Sequence, residues 1–344
     1  MELYASAKDL FKFTGLTDLQ LEKKLKTKNI TYLKKQKKIF LDHFSIRKLL
    51  TLPVDPKIMA IQVVKGGTGK TTVAFSLAVK ASLYGLRVLC IDLDQQGNLT
   101  QAFNLDPSEC PIMMDVIAQD LDLKTAIFSV APGIDLIPSR VENSMLDEIL
   151  RLKQANLAEL YADLWQNLKQ DYELILIDCP PNLDQSIAAT ALASDLILAP
   201  VTPENFALSG LKITVEMLWE LTEAYHKQVP IKIVLNKFNS RIKSHQQALE
   251  ILQEEAVYKD SLTNTKLRLS QEFPNAIAKQ LSIFQQSTQN SAKLDVDQLI
   301  IELLNLEEFE HGRSKRTTRN RRSKNSMGAT PGNHYAPGNH YAYH

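Results

Sequence analysis

Apolar residues follow two rhythms along this chain. Between residues 57 and 235 they gather into short, nearly unbroken runs rich in β-branched side chains, at 58–64, 87–92, 134–137, 173–178, 196–201 and 231–235. Runs without polar alternation mark strands buried on both faces, which predicts a parallel sheet. Between the runs the spacing becomes helical. Helices joining parallel strands make right-handed crossovers, so the fold class is α/β, with a doubly wound, mostly parallel sheet.

The first fifty residues read differently. A helix is expected around 7–13, a turn at Gly15, a second helix over about 18–26, a small hairpin, and a third helix over 43–50. This order resembles a helix-turn-helix whose second helix enters the major groove of DNA; a basic helical dimerisation cap is the other reading. Pro53 and Pro56 stand in a short polar stretch that suits a linker. The expected organisation is therefore a small module at 1–50, a linker at 51–57, an α/β domain at 58–310 and a tail at 311–344. The last helical pattern lies at about 295–309. In the tail, Pro331-Gly-Asn-His-Tyr-Ala336 repeats as Pro337-Gly-Asn-His-Tyr-Ala342, a low-complexity stretch for which no structure is expected.

Charge sharpens this division. The 344 residues carry a net charge of +1, yet residues 1–57 hold 13 Lys/Arg against 6 Asp/Glu and residues 311–344 hold 7 against none. Two basic ends around an acidic middle suit a polyanionic partner, although lysine-rich helix faces are also simply solvated. The three cysteines, Cys90, Cys110 and Cys179, are far apart and lack metal-site spacing, so neither a disulfide framework nor zinc is expected, and a reducing cytoplasm fits. No uncharged apolar run reaches the roughly 18 residues of a membrane span.

The chemistry concentrates after the first apolar run, at Lys65-Gly66-Gly67-Thr68-Gly69-Lys70-Thr71-Thr72. A helical pattern over 71–84 follows, which completes the strand–loop–helix context of a phosphate-binding loop. Glycines let the backbone wrap closely, so that successive N–H groups and the positive end of the next helix face the anion. Lys70 is placed to reach the β- and γ-phosphates of ATP, and the Thr71 hydroxyl to ligate Mg²⁺. The common loop spacing wants Gly at position 64. Here Val64 stands there and Lys65 opens the loop, a cation that a site already served by Lys70 does not need, and that instead suits a phosphate bound by a second subunit. Two strands end on carboxylates where open α/β sheets bind ligands: 87–92 at Asp92, with Asp94 two residues on, and 173–178 at Asp178, before Cys179-Pro180-Pro181. Asp94 is placed to orient an attacking water, and Asp178 to hold the magnesium shell.

Taken together, the loop, Ile91-Asp-Leu-Asp-Gln-Gln-Gly-Asn-Leu-Thr100 and Ile177-Asp-Cys-Pro-Pro181 resemble the ParA/Soj family of P-loop partition ATPases, over about residues 57–305. Ala199-Pro-Val-Thr-Pro-Glu-Asn-Phe-Ala-Leu-Ser-Gly210 and Val234-Leu-Asn-Lys-Phe238 are similar to its later segments. Thr68 stands where that family usually has Val, and Gln95 where it has Pro. The resemblance implies that Lys65 and Lys70 contact phosphate, Thr71 ligates Mg²⁺, and Asp92 and Asp178 hold it through water. It also implies that Asp94 positions the hydrolytic water and that Asn236 lies near adenine. It implies further that ATP joins two subunits into a homodimer, each Lys65 touching the partner's nucleotide. That dimer binds DNA without sequence preference on the nucleoid, and a ParB-type centromere-binding protein stimulates slow hydrolysis and release.

For DNA the candidate cations are Arg241, Lys243, Lys266 and Arg268 in the α/β domain, and Lys23, Lys24 and Lys26 in the N-terminal module, through which larger plasmid members of the family repress their own operon. The rivals are a membrane-associating MinD-like regulator, an ATPase that positions another cellular body, and an iron–sulfur relative. The acidic segment 299–309 argues against an inserting basic helix, and the cysteine spacing against a cluster.

Overall fold

The computed structural model describes residues 1–286 and 290–309. The expected tail at 311–344 lies outside the described residues, as does residue 310. Strands are numbered in chain order: β1 Ala5–Ser6, β2 Leu33–Lys35, β3 Lys38–Leu41, β4 Lys57–Ile61, β5 Val88–Asp92, β6 Phe128–Ala131, β7 Ile134–Ile137, β8 Leu174–Asp178, β9 Leu196–Val201 and β10 Ile231–Leu235. The first four helices are α1 Ala7–Thr14, α2 Asp18–Thr27, α3 His43–Leu49 and α4 Lys70–Ser82.

A seven-stranded sheet in the order β10-β9-β4-β8-β5-β7-β6 forms the centre. Six strands run parallel, and β6 closes one edge antiparallel to β7. Alternate residues of each central strand enter opposite clusters: Met59 and Ile61 of β4 join one face, Ile58 and Ala60 the other, and Leu174/Leu176 and Ile175/Ile177 of β8 divide in the same way. Period-two alternation between two buried faces is why these strands read as continuous apolar runs. The parallel-sheet expectation therefore holds. The first run is shorter than its apolar pattern, because Gln62, Val63 and Val64 leave the sheet to begin the loop.

Every N-terminal helix has its own start or stop signal. Ser6 and Asp9 form a capping box on α1, which Gly15 closes; Thr17 and Gln20 box α2; Asp42 accepts from the Ser45 N–H at the start of α3. The hairpin β2–β3, with β1 on its other side, makes a three-stranded sheet.

This module does not keep a separate core. Leu10, Leu21, Leu25, Leu41 and Ile46 belong to the same buried cluster as α4 and the helix Ser291–Leu303. Leu52 and Val54, in the stretch read as a linker, pack against that cluster too. The linker also ends one residue early, since Lys57 already pairs with Leu174 in the sheet. The apolar face of Ser291–Leu303, with Val296, Leu299 and Ile300 buried, is used inside the molecule. Among the described residues no helix is long and apolar enough to cross a membrane.

Candidate functional site

The site is assembled at the carboxyl ends of β4, β8 and β5, three neighbouring strands. After β4, Val63 to Gly69 form the loop, and α4 begins at Lys70 with Gly69 as its N-cap in the left-handed region, φ +92°. A Cβ at Gly69 would also lie 2.4 Å from the Asn236 amide, so both conformation and space require glycine. Lys70 is buried, at 7% exposure, and its ammonium donates to the carbonyls of Lys65 at 3.1 Å and Val63 at 3.4 Å. Burial pushes its pKa down, against the charges of Asp178, Cys179 and Asp94. Lys65, Gly66 and Gly67 are exposed at the loop's mouth. The two lysines thus occupy different places, one inside the loop and one at its rim.

Asp92 and Asp178 are register partners at the ends of β5 and β8, and both are fully buried. They do different work. Asp92, expected to hold magnesium through water, already has both oxygens engaged: Oδ2 accepts from the Thr100 N–H at 2.9 Å and hydroxyl at 2.7 Å, and Oδ1 accepts from the Asp94 N–H at 3.2 Å. Thr100 Oγ1 in turn accepts from the Ser139 N–H. Asp92 is therefore the clasp that shapes the 93–100 turn and holds Asp94 in place. Burial raises its pKa to about 7, against the Thr100 hydrogen bonds. Asp94, half-buried just past the strand, accepts from the Gln96 N–H at 3.0 Å.

Asp178 has no hydrogen-bond partner on either oxygen. Burial first, and then the charge of Asp92, drives its carboxyl well above the ordinary range, against the pull of Thr71. A buried carboxylate with both oxygens unmatched, beside a threonine hydroxyl and a lysine, is a poor arrangement on its own. It fits a hydrated divalent cation whose waters supply the missing donors, with Thr71 as an oxygen ligand.

Two features of the site have no counterpart in the sequence expectations. The first is a pair of contacts from the end of β10: Asn236 Nδ2 donates to the Thr68 carbonyl at 2.7 Å, and Lys237 Nζ to the Gly67 carbonyl at 2.9 Å. Lys237 itself sits at φ +55°, the left-handed region that a lysine rarely adopts. Asn236, expected near adenine, is thus first a staple on the loop. The second is the helix Asn205–Tyr225, whose Thr214 hydroxyl accepts from the Val64 N–H at 3.0 Å. That helix lies so close that a Cβ at Gly210 would stand 2.7 Å from the Val64 carbonyl. The Gly-Lys rhythm of the loop is visible in sequence; the struts that hold it come from residues about 150 positions away and carry no local signal.

Beside the loop lies a cavity of about 370 Å³. Its walls include Val73, Leu77, Leu267, Phe273, Pro274 and Ile277, with Asn236 and Lys237 at the loop side. A mostly apolar slot next to a phosphate loop has the character of a base-binding pocket. Arg268 belongs to it as well. Its Nε and Nη2 are bound to Asp295, at 2.6 Å for the shortest contact, so this expected DNA contact, exposed at the surface, also carries an ion pair within the protein. Lys266 is half-buried and donates to the Asn264 carbonyl, whereas Arg241 and Lys243 are exposed at the start of the helix Lys243–Glu254. In the N-terminal module Lys23 and Lys24 are exposed, while Lys26 pairs with Glu22 at 3.1 Å.

With this geometry in hand, the likenesses to known proteins are informative. The model of a family described as AAA domain, AAA_31, matches residues 56–231. The sporulation initiation inhibitor protein Soj of Bacillus subtilis is 32% identical over 165 residues, covering 45% of this chain and 62% of that protein. A virulence plasmid ParA family protein of Chlamydia trachomatis is 28% identical over 260 residues, covering 74% of this chain and 97% of its own length. Among solved structures, an ATP complex of McdA from Cyanothece aligns over 73% of this chain and 97% of its own, with a TM-score of 0.66 at 23% identity. A putative plasmid partition protein of Borrelia burgdorferi bound to AMPPNP aligns over 73% and 99%, with a TM-score of 0.57 at 21% identity. At these identities the structural likeness establishes the fold.

Proposed function

The chain belongs to the AAA_31 family of AAA domains, as a P-loop ATPase of the ParA type, and from that premise we propose that it is a nucleotide-driven switch for partition. ATP and Mg²⁺ bind at the loop between Lys65 and Thr72, two subunits close face to face on the bound nucleotides, and the closed dimer holds DNA until hydrolysis releases it. The observation that carries this reading is the split between the two lysines: Lys70 lies buried against the loop carbonyls, while Lys65 lies exposed at the rim, where a facing subunit's phosphate would come within its reach. Asp178 and Thr71 are the residues to hold the hydrated magnesium, which neutralises phosphate charge. Asp94, set by the Asp92 clasp, is the residue to orient water. The ParB-type partner that stimulates turnover, repression of the operon through the N-terminal module and association with the nucleoid belong to the same reading, supported by the partition proteins among its relatives.

The test separates the three residues. Light scattering with ATP and Mg²⁺ should show a dimer for the unaltered protein and for Asp94→Ala, which binds ATP but does not turn it over. Lys65→Ala should keep most of its ATP affinity and stay monomeric, and Lys70→Ala should not bind ATP. Dimerisation of Lys65→Ala like that of the unaltered protein would refute the shared-nucleotide switch.

A further inference from the structure

The hairpin β2–β3 is built in a way that its own fold does not reward. Between Glu22 and Asp42 the chain has no acidic residue and eight lysines, four of them at Lys34, Lys35, Lys37 and Lys38. In the register Lys35 stands directly opposite Lys38, a like-charge cross-strand pair, which is destabilising in isolation. The two turn residues, Gln36 and Lys37, have φ +47° and +67°. Such a turn favours Asn-Gly, and a lysine is strained there. No apolar gain offsets this at the tip, because residues 33–38 are all exposed. Only the base of the hairpin is anchored, by Ile39 and Leu41 in the core and by the pairing of β3 with β1.

Among the described residues one acid meets this surface. Glu22 of α2 takes Lys34 at 2.7 Å and Lys26 at 3.1 Å, and those bonds hold its carboxyl down at about 2. It ties the hairpin to α2, and no acid among the described residues forms an ion pair with Lys23, Lys24, Lys28, Lys35, Lys37 or Lys38. Self-repelling cations kept on a strained, projecting turn make physical sense when an outside anion meets them.

We propose that the hairpin tip and the exposed side of α2 form one surface that binds the phosphate backbone of duplex DNA, with Lys35, Lys37 and Lys38 as contacts. This rests on the reading of the chain as a DNA-bound switch and adds to it a named surface, distinct from the α/β domain cations. Contacts of this kind set affinity and orientation without reading bases.

The experiment uses the full chain with ATP and Mg²⁺, a labelled duplex of arbitrary sequence, and fluorescence anisotropy over a salt series. Replacing the three lysines together, Lys35→Gln, Lys37→Gln and Lys38→Gln, should weaken binding at least about tenfold at low salt. It should also reduce the slope of log affinity against log salt by about 2–3, near 0.9 per lost phosphate contact. The Lys→Arg triple should keep the slope, while the Gln triple, relieved of the like-charge pair, should have a thermal midpoint no lower than that of the unaltered protein and the same DNA-free ATP turnover. Equal affinity and slope in the Gln triple overturn the hairpin surface while leaving the switch intact. Absence of DNA binding by the unaltered protein overturns the DNA-bound switch and the hairpin surface with it. Loss of binding to phosphatidylglycerol vesicles, with DNA binding retained, assigns the surface to a membrane and also overturns the proposal.

Discussion

At the scale of single residues, the departures from the family pattern acquire physical meaning. Thr68, where relatives of the resembled family carry Val, is 1% exposed with its hydroxyl unpaired. A buried hydroxyl without a partner costs about 1–3 kcal/mol, so Thr68→Val, nearly the same shape, is expected to raise the thermal midpoint of the nucleotide-free protein. Differential scanning calorimetry reads this directly. If ATP affinity falls instead, the hydroxyl is reserved for the nucleotide. Lys237 presents the opposite case, a residue held in an unfavourable backbone region because its ammonium caps the Gly67 carbonyl. Strain of this kind persists where the surroundings over-determine it, commonly at functional sites. Lys237→Ala loosens the loop without touching Asp94 or Asp178. Its expected signature is an ATP dissociation constant raised about tenfold, or about 1.4 kcal/mol, with kcat changed less than affinity; isothermal titration and steady-state turnover measure the two.

At the scale of elements, what could be read from sequence follows from how local each signal is. The six parallel strands were legible because burial on both faces leaves nearly unbroken apolar runs, and the loop because its glycines and lysines lie close together. The edge strand β6 was not, since Phe128–Ala131 is only four residues long, partly exposed, and runs straight into the Pro132-Gly133 turn. Asp92 was legible as a site carboxylate, but its engagement by Thr100 was not, because a strand end followed by an acid has the same pattern whether the acid faces a metal or caps the next turn. The helix Asn205–Tyr225 was equally opaque as a strut. Gly210 and Thr214 act on the loop only through tertiary contact. Gly210→Ala puts a methyl 2.7 Å from the Val64 carbonyl, and with backbone on both sides neither can yield cheaply. The helix must move away, taking the Thr214 bond with it. ATP binding is expected to weaken by about tenfold or more while far-UV circular dichroism stays the same, and normal affinity in this variant would show that the strut does not hold the loop.

At the scale of the whole molecule, α4 joins the phosphate loop to the N-terminal module. Its first residues, Lys70 and Thr71, face the phosphate site, and its far end, about 18 Å away for 13 residues, carries the N-terminal module. There Asp297 gathers Lys12 of α1, Lys80 of α4 and the Tyr84 hydroxyl. Burial pushes the Asp297 carboxyl up, but Lys80 and Lys12 outweigh it and hold it below its ordinary value. Asp297→Asn strands the buried Lys80 without a counter-charge, at a cost of about 3 kcal/mol, and is expected to release the module, seen as faster hydrogen exchange over α1–α3 with the sheet unchanged. A second contact makes the same seam sensitive to acid. His43 is 2% exposed, its Nδ1 is 3.0 Å from the Ser82 carbonyl, and its ring is packed against Gly133. Burial lowers its pKa, opposed by the bond to the Ser82 carbonyl and by Asp42 and Glu173, with Arg47 adding to the effect. A histidine whose folded pKa lies below its unfolded value near 6.5 binds its proton more readily when unfolded, so its contribution to stability is lost as pH falls through that value. Asp297 contributes in the same direction at lower pH, since a depressed carboxyl also loses its stabilising effect on protonation. The seam should therefore weaken on acidification before the sheet does. Moving from pH 7.5 to 5.5, the thermal midpoint of the unaltered protein is expected to drop by more than that of His43→Gln, whose side chain carries no titrating proton. Equal drops in the two proteins would show that His43 does not set the acid response of the seam over this range, in which Asp297, held below its ordinary value, stays ionised.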